Sequence, residues 1–573
     1  MLFLIFSLCL FSFRHTSSQS PDVVSSLVDI SQAVVAGRHL SRELTSFLNK
    51  EESRLAKLRE VILRLDSALE IFNVSDPNQV SLPSIENEAA ANPISAFLAI
   101  IRLAANWSSE LSVILGFPNV DPDKVDSISY KDTSMGVYNE FDSRRKLFLR
   151  LKWYANMLPD DRDVRGALDA VIRLQQTYNI PSIEIAEGRI LPSSPSPRLS
   201  DWQCMKLGLF CYEMGDYGRA IEWYNVVLDR LNAKRKNNNL ETGAGTVSFA
   251  LLYDHLSYAL GRSGRYKEAL EITKKLLIED PTSTNGVMSK AFYEMELRRL
   301  GENDPPHVND ESGRGVDQES SIFDDLCRKA NIWTPPKSNL SCKYSTPHPY
   351  FLIGPLKEEL IQEDPPIILW HDFVSQKEVD EIIEIAKPKL RRALVRNPVS
   401  GVLEPATYRV TKNVWLPDDL NELTKRINRR ISMATGLSIE HGEELQVANY
   451  GLGGYYAPHY DYARRFEIDA HDRRHGNRIA TTMVYLTPVE LGGGTAFTKT
   501  GSVARPVARS MVFWYNLLRS GDGDLRSRHG ACPVMAGTKW VMNKWIRAAG
   551  QEFKRPCGLE PEPFNPEDEF LDP

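Results

Sequence analysis

The chain has 573 residues, a formal net charge of −6, and charged side chains at 25% of its positions. A chain of this length exceeds one ordinary hydrophobic core, so we expect about two to four domains. The weakly acidic balance gives no reason to expect binding to nucleic acid. Residues 2–13 are apolar but too few to cross a bilayer, and small polar residues follow them. This pattern predicts a signal peptide at 1–19, and no later segment predicts a membrane span.

Helical periodicity dominates the N-terminal region, which we place at 20–185. Apolar residues recur there at intervals of three and four, interrupted at Glu51: Leu44, Leu48, Leu55, Leu58, Ile62, Leu65 and Leu69. Such a seam favours a partner helix in a coiled coil. An amphipathic helix packed within its own domain produces the same pattern, so the seam alone leaves both structures open.

A second helical unit is predicted at 198–300. Small residues and aromatic rings follow tetratricopeptide-type spacing around Gly215-Asp216-Tyr217 and, as a weaker copy, around Gly264-Arg265-Tyr266. Small residues let paired helices approach closely while the rings fill the grooves, so an aromatic stripe of this kind is usually core packing. Cys204 and Cys211 share one face of a predicted helix, where we expect buried free thiols.

Residues 301–344 are predicted to be an acidic linker that contains a cysteine pair, Cys327 and Cys342. Its first part, 301–322, is polar and poor in apolar groups, which indicates a flexible segment. Cysteine spacing does not by itself fix the disulfide connectivity. Sequons for glycosylation, which matter only on the secretory route, lie at Asn73, Asn106 and Asn339.

Short β-branched and aromatic segments separated by turns fill residues 345–552. They include 366–370, 479–486, 510–515 and 539–546, with a helix expected around 378–387. This pattern is typical of an antiparallel barrel or jelly roll. The predicted fold class is therefore multidomain, with all-α regions followed by a β-rich domain that is a double-stranded β-helix (jelly roll) or another antiparallel barrel. An acidic, proline-rich tail occupies 553–573.

The most informative residues lie in this β-rich region. In the run His459-Tyr460-Asp461, an extended strand points the imidazole and the carboxylate to one face. With a second imidazole from His529 they make the ligand set of non-haem Fe(II) oxygenases, which leaves positions open for a bidentate 2-oxoacid and O₂. Lys539 is placed to lie on the neighbouring strand and to pair with the far carboxylate of that acid. An H-x-D triplet is a weak signal alone, and an isolated His529 is also compatible with a structural histidine.

Five segments carry a specific family resemblance: NYGLGGYYAPHYDYAR, NRIATTMVYL, VFWYN, RHGACPV and KWVMNKWI. They closely resemble the α subunits of animal collagen prolyl 4-hydroxylases, and the resemblance covers most of the chain up to the tail. It implies Fe(II) ligands at His459, Asp461 and His529. It also implies that Lys539 anchors the C5 carboxylate of 2-oxoglutarate.

The resemblance assigns further residues around this site. Arg478 resembles a substrate-side arginine, and Tyr485 is either a cofactor contact or barrel packing. Arg547 stands where the family usually has a histidine that is thought to assist 2-oxoglutarate binding or decarboxylation. An arginine still donates hydrogen bonds there but does not change its protonation near neutral pH. We expect activity to survive with altered handling of the cosubstrate.

The 198–300 unit resembles the family's peptide-binding domain, whose aromatic rings stack on a polyproline II helix. Tyr258 matches a peptide-contacting tyrosine, and Asp254 matches its neighbour. His255 stands where a second tyrosine is common, so peptide preference is expected to differ. Asn285 is a candidate for hydrogen bonds to the peptide backbone.

The resemblance also implies an assembly and a compartment. Disulfides are expected between Cys327 and Cys342 and between Cys532 and Cys557. The N-terminal seam becomes a coiled coil that joins a second α subunit, in an α₂β₂ tetramer whose β subunit is protein disulfide isomerase. The expected place is the lumen of the endoplasmic reticulum, and L-ascorbate keeps the iron reduced.

The function implied is that of a procollagen-proline 4-dioxygenase α subunit. It hydroxylates proline in Gly-X-Pro, collagen-like peptides with Fe(II), 2-oxoglutarate and O₂. Two alternatives stay open. One is a non-catalytic binder of proline-rich peptides that has kept the fold, and the other is an oxygenase for a different proline-rich secreted protein.

Overall fold

The computed structural model describes residues 27–71, 92–115, 135–156, 158–191, 197–238, 246–300, 318–331, 340–396, 403–404, 406–451 and 453–558. The chain divides into two compact units, Met1–Asp66 with Asn106–Leu158, and Ser67–Ala105 with Pro159–Pro573. The predicted signal peptide, Asn73, Asn339 and the tail from residue 559 lie outside the described residues. The third sequon asparagine, Asn106, is exposed and caps a helix by accepting from the Ser109 backbone N–H at 3.2 Å.

The first unit is helical. It contains most of the helix Leu27–Glu70 and the helices Trp107–Ile114 and Met135–Ala155. Within it, the Arg64 guanidinium pairs with Glu110 and lies 4.7 Å from the centre of the Trp107 ring. Seam leucines of the long helix stay exposed, with Leu44 at 42% and Leu48 at 48%. Their coiled-coil role therefore stays a prediction.

The second unit begins with helices, as predicted. Their bounds are Pro93–Leu103, Asp161–Tyr178, Ser182–Ala186, Asp201–Glu213, Tyr217–Lys236, Phe249–Arg262, Tyr266–Glu279, Thr284–Arg299 and Gln318–Ala330. Reciprocal capping boxes at Asp160 and Ser200 fix two of the helix starts. Gly208 lies where two helices pack closely, because an added Cβ would lie 2.5 Å from the Tyr224 ring. Cys204 and Cys211 are buried and unbonded, as expected.

The linker prediction is wrong for residues 318–322, which begin the helix Gln318–Ala330. The helix has an apolar face that packs against the strand-rich region, so its order comes from tertiary contacts. Glu319 adds an ion pair at 2.7 Å to Arg528, next to a predicted iron ligand. The packed residues are Phe323, Leu326, Cys327, Ala496 and Cys532.

The predicted disulfide pairs are also wrong in the structure. Cys327 is bonded to Cys532, while Cys342 and Cys557 are exposed free thiols. The reason is the docked helix, whose buried face puts Cys327 against Cys532 across a sequence separation of 205 residues. Cys342 begins an exposed edge strand instead.

The strand-rich part of the second unit is antiparallel throughout, which confirms the predicted class. The strands are β1 Cys342–Ser345, β2 Leu356–Gln362, β3 Ile367–His371, β4 Arg391–Arg392, β5 Val395–Arg396, β6 Leu403–Glu404, β7 Lys412–Leu416, β8 Leu445–Tyr450, β9 Tyr456–His459, β10 Arg478–Tyr485, β11 Leu491–Gly492, β12 Thr495–Phe497, β13 Ser502–Ala504, β14 Met511–Tyr515, β15 His529–Ala531, β16 Val534–Ala536 and β17 Lys539–Arg547. A nine-stranded sheet has the order β1-β2-β3-β14-β10-β17-β8-β7-β4, and a four-stranded sheet has the order β13-β12-β15-β9.

Residue alternation along β10 separates two cores. Ala480 and Val484 pack under the helices Gln376–Ala386 and Glu422–Thr435, whereas Met483 and Tyr485 belong to a second core with residues of the smaller sheet. A short helix, Ala470–His475, lies between β9 and β10. Among the described residues, no helix has the length and apolar character needed to span a membrane.

Candidate iron and 2-oxoacid site

The two predicted histidine ligands are cross-strand partners. His529, the first residue of β15, pairs in register with His459, the last residue of β9, and their ring centres lie 4.6 Å apart. Asp461 follows just beyond the end of β9, so the predicted continuous strand stops before it. Its carboxylate oxygens still lie 3.6 Å from Nε2 of each histidine. The fold therefore brings all three predicted ligands to one point.

Backbone carbonyls fix the orientation of both imidazoles. His459 Nδ1 lies 2.8 Å from the carbonyl of Ala457, and His529 Nδ1 lies 2.8 Å from that of Ser527. A carbonyl oxygen only accepts, so Nδ1 carries the proton and donates in each case. In the neutral imidazole, Nε2 then keeps its lone pair, which metal ligation requires.

A hydrogen-bonded chain orients the carboxylate. The Thr481 hydroxyl on β10 donates to Asp461 Oδ2 at 2.7 Å, and the Asn516 amide donates to that hydroxyl at 2.8 Å. Thr481 and Asn516 are buried. One carboxylate oxygen is therefore held in place, as is usual for metal ligands with outer partners.

The electrostatics suit a divalent cation. Burial opposes the charge on Asp461, but the His529 and His459 imidazoles hold the pKa of that carboxyl well below its usual range. Burial lowers the pKa of His529 to about 4, although Asp461 opposes that shift. Near neutral pH the Asp461 carboxyl is therefore ionised and the His529 imidazole is neutral, which fits Fe(II) with open positions for a bidentate cosubstrate.

Lys539 provides the anion site. Its ammonium is fully buried, has no hydrogen-bond partner among the described residues, and lies 5.1 Å and 5.5 Å from the rings of Tyr450 and Tyr485. Burial alone lowers its pKa to about 7. A buried cation without a protein partner fits the far carboxylate of a 2-oxoacid. The absence of a side chain at Gly493 leaves room for the Lys539 side chain, since an added Cβ would lie 3.3 Å from Lys539 Cδ.

The position of Lys539 differs from the prediction. It lies on β17 of the nine-stranded sheet, not on a neighbour of β15, which pairs with β9 and β12. The segment around Gly537, with φ of +89°, carries the chain from β16 to β17. Tyr485 packs beside the lysine, and its hydroxyl contacts Thr495 at 2.7 Å and donates to the Ala504 carbonyl at 3.2 Å.

Arg478 and Arg547 share one carboxylate, that of Glu443. Arg478 and Arg547 are register partners on β10 and β17, and each pairs with Glu443. Arg478 also donates to the Asp461 carbonyl at 3.1 Å and lies over the Trp545 ring at 4.2 Å. Burial opposes ionisation of Glu443, but the two arginines keep the pKa of its carboxyl low.

Arg547 makes further contacts with the helix Ala470–His475. Its Nη1 donates to Asp472 at 2.6 Å and to the Gly476 carbonyl at 3.1 Å. The side chain is buried, at 6% exposure. In this position it holds the segment between the H-x-D ligands and β10 against β17.

The predicted peptide-contacting residues lie on two helices of the 198–300 unit. Tyr258 is 47% exposed, with its ring 6.5 Å from that of Tyr212, and His255 is half-buried beside Tyr224. Burial lowers the pKa of His255. The structure places Asp254 on this same helix and Asn285 in an exposed position at the start of the helix Thr284–Arg299.

Comparison with known families agrees with this geometry. Residues 445–547 match the 2OG-Fe(II) oxygenase superfamily, which defines the class of the catalytic region as a 2-oxoglutarate-dependent dioxygenase. Residues 26–192 match the prolyl 4-hydroxylase alpha-subunit N-terminal region, and residues 201–299 match the prolyl 4-hydroxylase peptide-substrate-binding domain.

The relatives extend over nearly the whole chain. "Prolyl 4-hydroxylase subunit alpha-2" of Caenorhabditis elegans is 34% identical over 546 residues, covering 94% of each chain. "Prolyl 4-hydroxylase subunit alpha-1" of Bos taurus is 34% identical over 555 residues, covering 94% of this chain and 96% of its own. The chain belongs to the prolyl 4-hydroxylase alpha-subunit family.

Sequence reasoning missed several residues of this site. Thr481 shares the inward face of β10 with Tyr485, so strand alternation gave a usable signal for it. Tyr456 stacks on His459 with ring centres 3.6 Å apart. Glu443 and Asn516 reach the site through contacts distant in sequence, for which one sequence offers no signal.

Replacing Thr481 with valine removes the hydrogen bond to Asp461 while keeping the side-chain shape. We expect Fe(II) affinity to fall about 10- to 100-fold, as for other partners of metal-ligating carboxylates. Anaerobic calorimetry measures this. Thr482→Val is the matched control, since that buried hydroxyl donates to the Lys544 carbonyl instead. Equal affinities for the two variants would contradict the role of Thr481.

The lowered pKa of Lys539 predicts a pH-dependent affinity for 2-oxoglutarate. The charged ammonium binds the carboxylate, and its population falls as pH rises above about 7. We expect the apparent Kd to rise about tenfold between pH 7 and pH 8.5. Lys539→Arg keeps its charge and should remove this dependence. A wild-type Kd that is flat over this range would show that the lysine stays charged.

Arg547→His introduces the histidine that the family resemblance implies at this position. The shorter side chain removes an ion-pair partner from Asp472 and from Glu443. We therefore expect the free energy of unfolding to fall by about 3 kcal/mol. Hydrogen exchange should accelerate in 470–476, and the melting temperature should fall. Arg474→His, at an exposed arginine of the same short helix, is the control. Unchanged exchange in Arg547→His would mean that its ion pairs do not hold the helix.

Proposed function

We propose that this chain is the catalytic α subunit of a prolyl 4-hydroxylase that acts on proline-rich, collagen-like peptides. The observation that carries the proposal is the cluster of His459, Asp461 and His529 together with the buried ammonium of Lys539, which has no hydrogen-bond partner among the described residues. A peptide binder without catalytic function has no use for a buried cation that lacks a partner. The relatives' names and the peptide-substrate-binding region support the same substrate class.

The roles of the chain's residues follow from their geometry. The triad would hold Fe(II), and Lys539 would hold the far carboxylate of 2-oxoglutarate. When bound, iron would supply the activation of O₂: one oxygen atom would enter the proline C4–H bond as a hydroxyl group, and the other would enter succinate as 2-oxoglutarate loses CO₂. The fold buries Asp461 and His529, leaves His459 half-buried, and keeps both imidazoles and the carboxylate in fixed orientations.

The substrate would bind by its polyproline II conformation. Exposed Tyr258 and half-buried Tyr212 present rings on the 198–300 unit, and such rings stack well on a proline-rich helix. Asp254 and His255 lie on the helix that carries Tyr258. We assign these residues to peptide capture and the triad to chemistry.

The compartment and assembly are part of the proposal. The disulfide Cys327–Cys532 and the apolar residues 2–13 support entry into the endoplasmic reticulum lumen. We propose protein disulfide isomerase as the β subunit and a second α subunit through the exposed seam of Leu27–Glu70, in an α₂β₂ tetramer. L-ascorbate would keep the iron reduced between turnovers.

Hydroxylation of a Pro-Pro-Gly repeat peptide tests the proposal. The full chain is co-expressed with protein disulfide isomerase and supplied with Fe(II), 2-oxoglutarate and ascorbate. Mass spectrometry should show the gain of one oxygen atom per modified proline, and amino-acid analysis should identify 4-hydroxyproline. His459→Ala should abolish the product, because the iron loses a ligand.

Two further results separate the alternatives. Tyr258→Ala should raise the KM for peptide and leave kcat close to the wild-type value, since it acts in capture. Peptide binding without any oxygen gain in iron-loaded wild type would favour the non-catalytic binder. Hydroxylation of other proline-rich sequences but not of Pro-Pro-Gly repeats would favour the second oxygenase alternative.

A further inference from the structure

A buried arginine outside the oxygenase region contacts the loop that leads into the iron-ligand strand. Arg173 lies on the helix Asp161–Tyr178 and is 6% exposed. Its Nη1 donates to the Gly453 carbonyl at 2.8 Å, and its Nη2 pairs with Asp169 on the same helix. The guanidinium also lies over the Tyr455 ring at 4.0 Å. The two hydrogen-bonded edges and the stacked face of the guanidinium group fix its position.

Gly453 makes this close approach feasible. Its φ of +56° lies in the left-handed region, and an added Cβ would lie 2.9 Å from Ala170 Cβ. Its amide donates to the Val534 carbonyl of β16 at 3.1 Å. The loop is therefore held between the helix on one side and β16 on the other.

The loop continues directly into β9 and the first histidine ligand. The Tyr455 carbonyl accepts from the Val410 amide at 2.9 Å, and the next residue, Tyr456, stacks on the His459 imidazole at an interplanar angle of 18°. A displacement of the loop would therefore move the Tyr456 ring, and with it the His459 imidazole on which that ring stacks.

The same helix contacts the chain beyond the second histidine ligand. The Tyr178 hydroxyl donates to the Pro533 carbonyl at 2.6 Å, and Pro533 follows the disulfide-bonded Cys532. Arg328 donates to the Thr177 carbonyl at 2.6 Å from the helix that carries the other cysteine. The helix Asp161–Tyr178 therefore has contacts next to both strands that supply histidine ligands.

We infer that Arg173 is a positioning residue of the iron site, through which the helix Asp161–Tyr178 holds the segment 453–455 and fixes the His459 imidazole. The inference rests on the proposed function for the identity of the metal. The contact itself is a property of the chain and is measurable without turnover.

The test uses the full chain co-expressed with protein disulfide isomerase and measures two quantities. Fe(II) affinity is determined by anaerobic calorimetry, and amide hydrogen exchange is followed over 453–459. Arg173→Ala should lower Fe(II) affinity about three- to tenfold and accelerate exchange in this segment. Arg165→Ala is the matched control, since Arg165 is an exposed arginine of the same helix that pairs with Glu213.

A second pair of variants approaches the contact from the loop. Gly453→Ala should push the helix away and reproduce the effect of Arg173→Ala. Gly451→Ala should not, because an added Cβ at that residue meets nothing within 4 Å. Arg173→Lys keeps the charge but loses the planar stacking on Tyr455, so an intermediate Fe(II) affinity is expected.

The outcomes decide the inference separately from the proposed function. Wild-type Fe(II) affinity and exchange in a folded Arg173→Ala variant would overturn it, and so would equal losses in Arg165→Ala. If Arg173→Ala does not fold, Arg173→Lys decides: failure of that variant to fold as well means that the residue serves stability alone. If the wild type binds no Fe(II), the proposed function fails, and the exchange measurement still tests the contact.

Discussion

The in-register pairing of β9 with β15 is the constraint on which the rest of the site depends. It sets His459 opposite His529 at the shared edge of the two strands, and two backbone carbonyls then fix the imidazole orientation. A shift of one residue would turn a ligand to the other face of the sheet. The contacts of Asp461, Tyr456 and the helix Gln318–Ala330 all serve to keep these two strand ends in place.

Burial is what gives the site its chemistry, and it opposes folding at the same residues. Asp461 and His529 are buried, so charge interactions there are stronger than at the surface. The same low polarity disfavours the ammonium of Lys539, which has no hydrogen-bond partner in the described part of the chain and whose pKa falls to about 7. An anionic cosubstrate that pairs with the ammonium removes this desolvation penalty. Part of the free energy of cosubstrate binding therefore comes from removing an unfavourable term of the folded protein.

Local patterns in the sequence were sufficient for the ligand residues, the strands and the helical spacing. H-x-D spacing, strand alternation and turn glycines act over a few residues, which is why β10, β14 and β17 were predictable. Contacts between residues that are distant in sequence were not predictable. Cys327 lies against Cys532 because the apolar face of its helix packs on the strand-rich region. Lys539 lies on a strand of the nine-stranded sheet, whereas His459 and His529 lie on strands of the four-stranded sheet. The contact of Arg173 with Gly453 spans 280 positions and left no periodic trace.

The buried charge of Arg547 is balanced by neighbouring carboxylates. Arg478 and Arg547 bring two permanent charges into a buried position, and Glu443 and Asp472 supply two carboxylates against them. Because Glu443 binds both arginines, neither can move independently of the other. Residue 547 therefore contributes fixed charge and packing to the site. On the same strand, burial lowers the pKa of Lys539 to about 7.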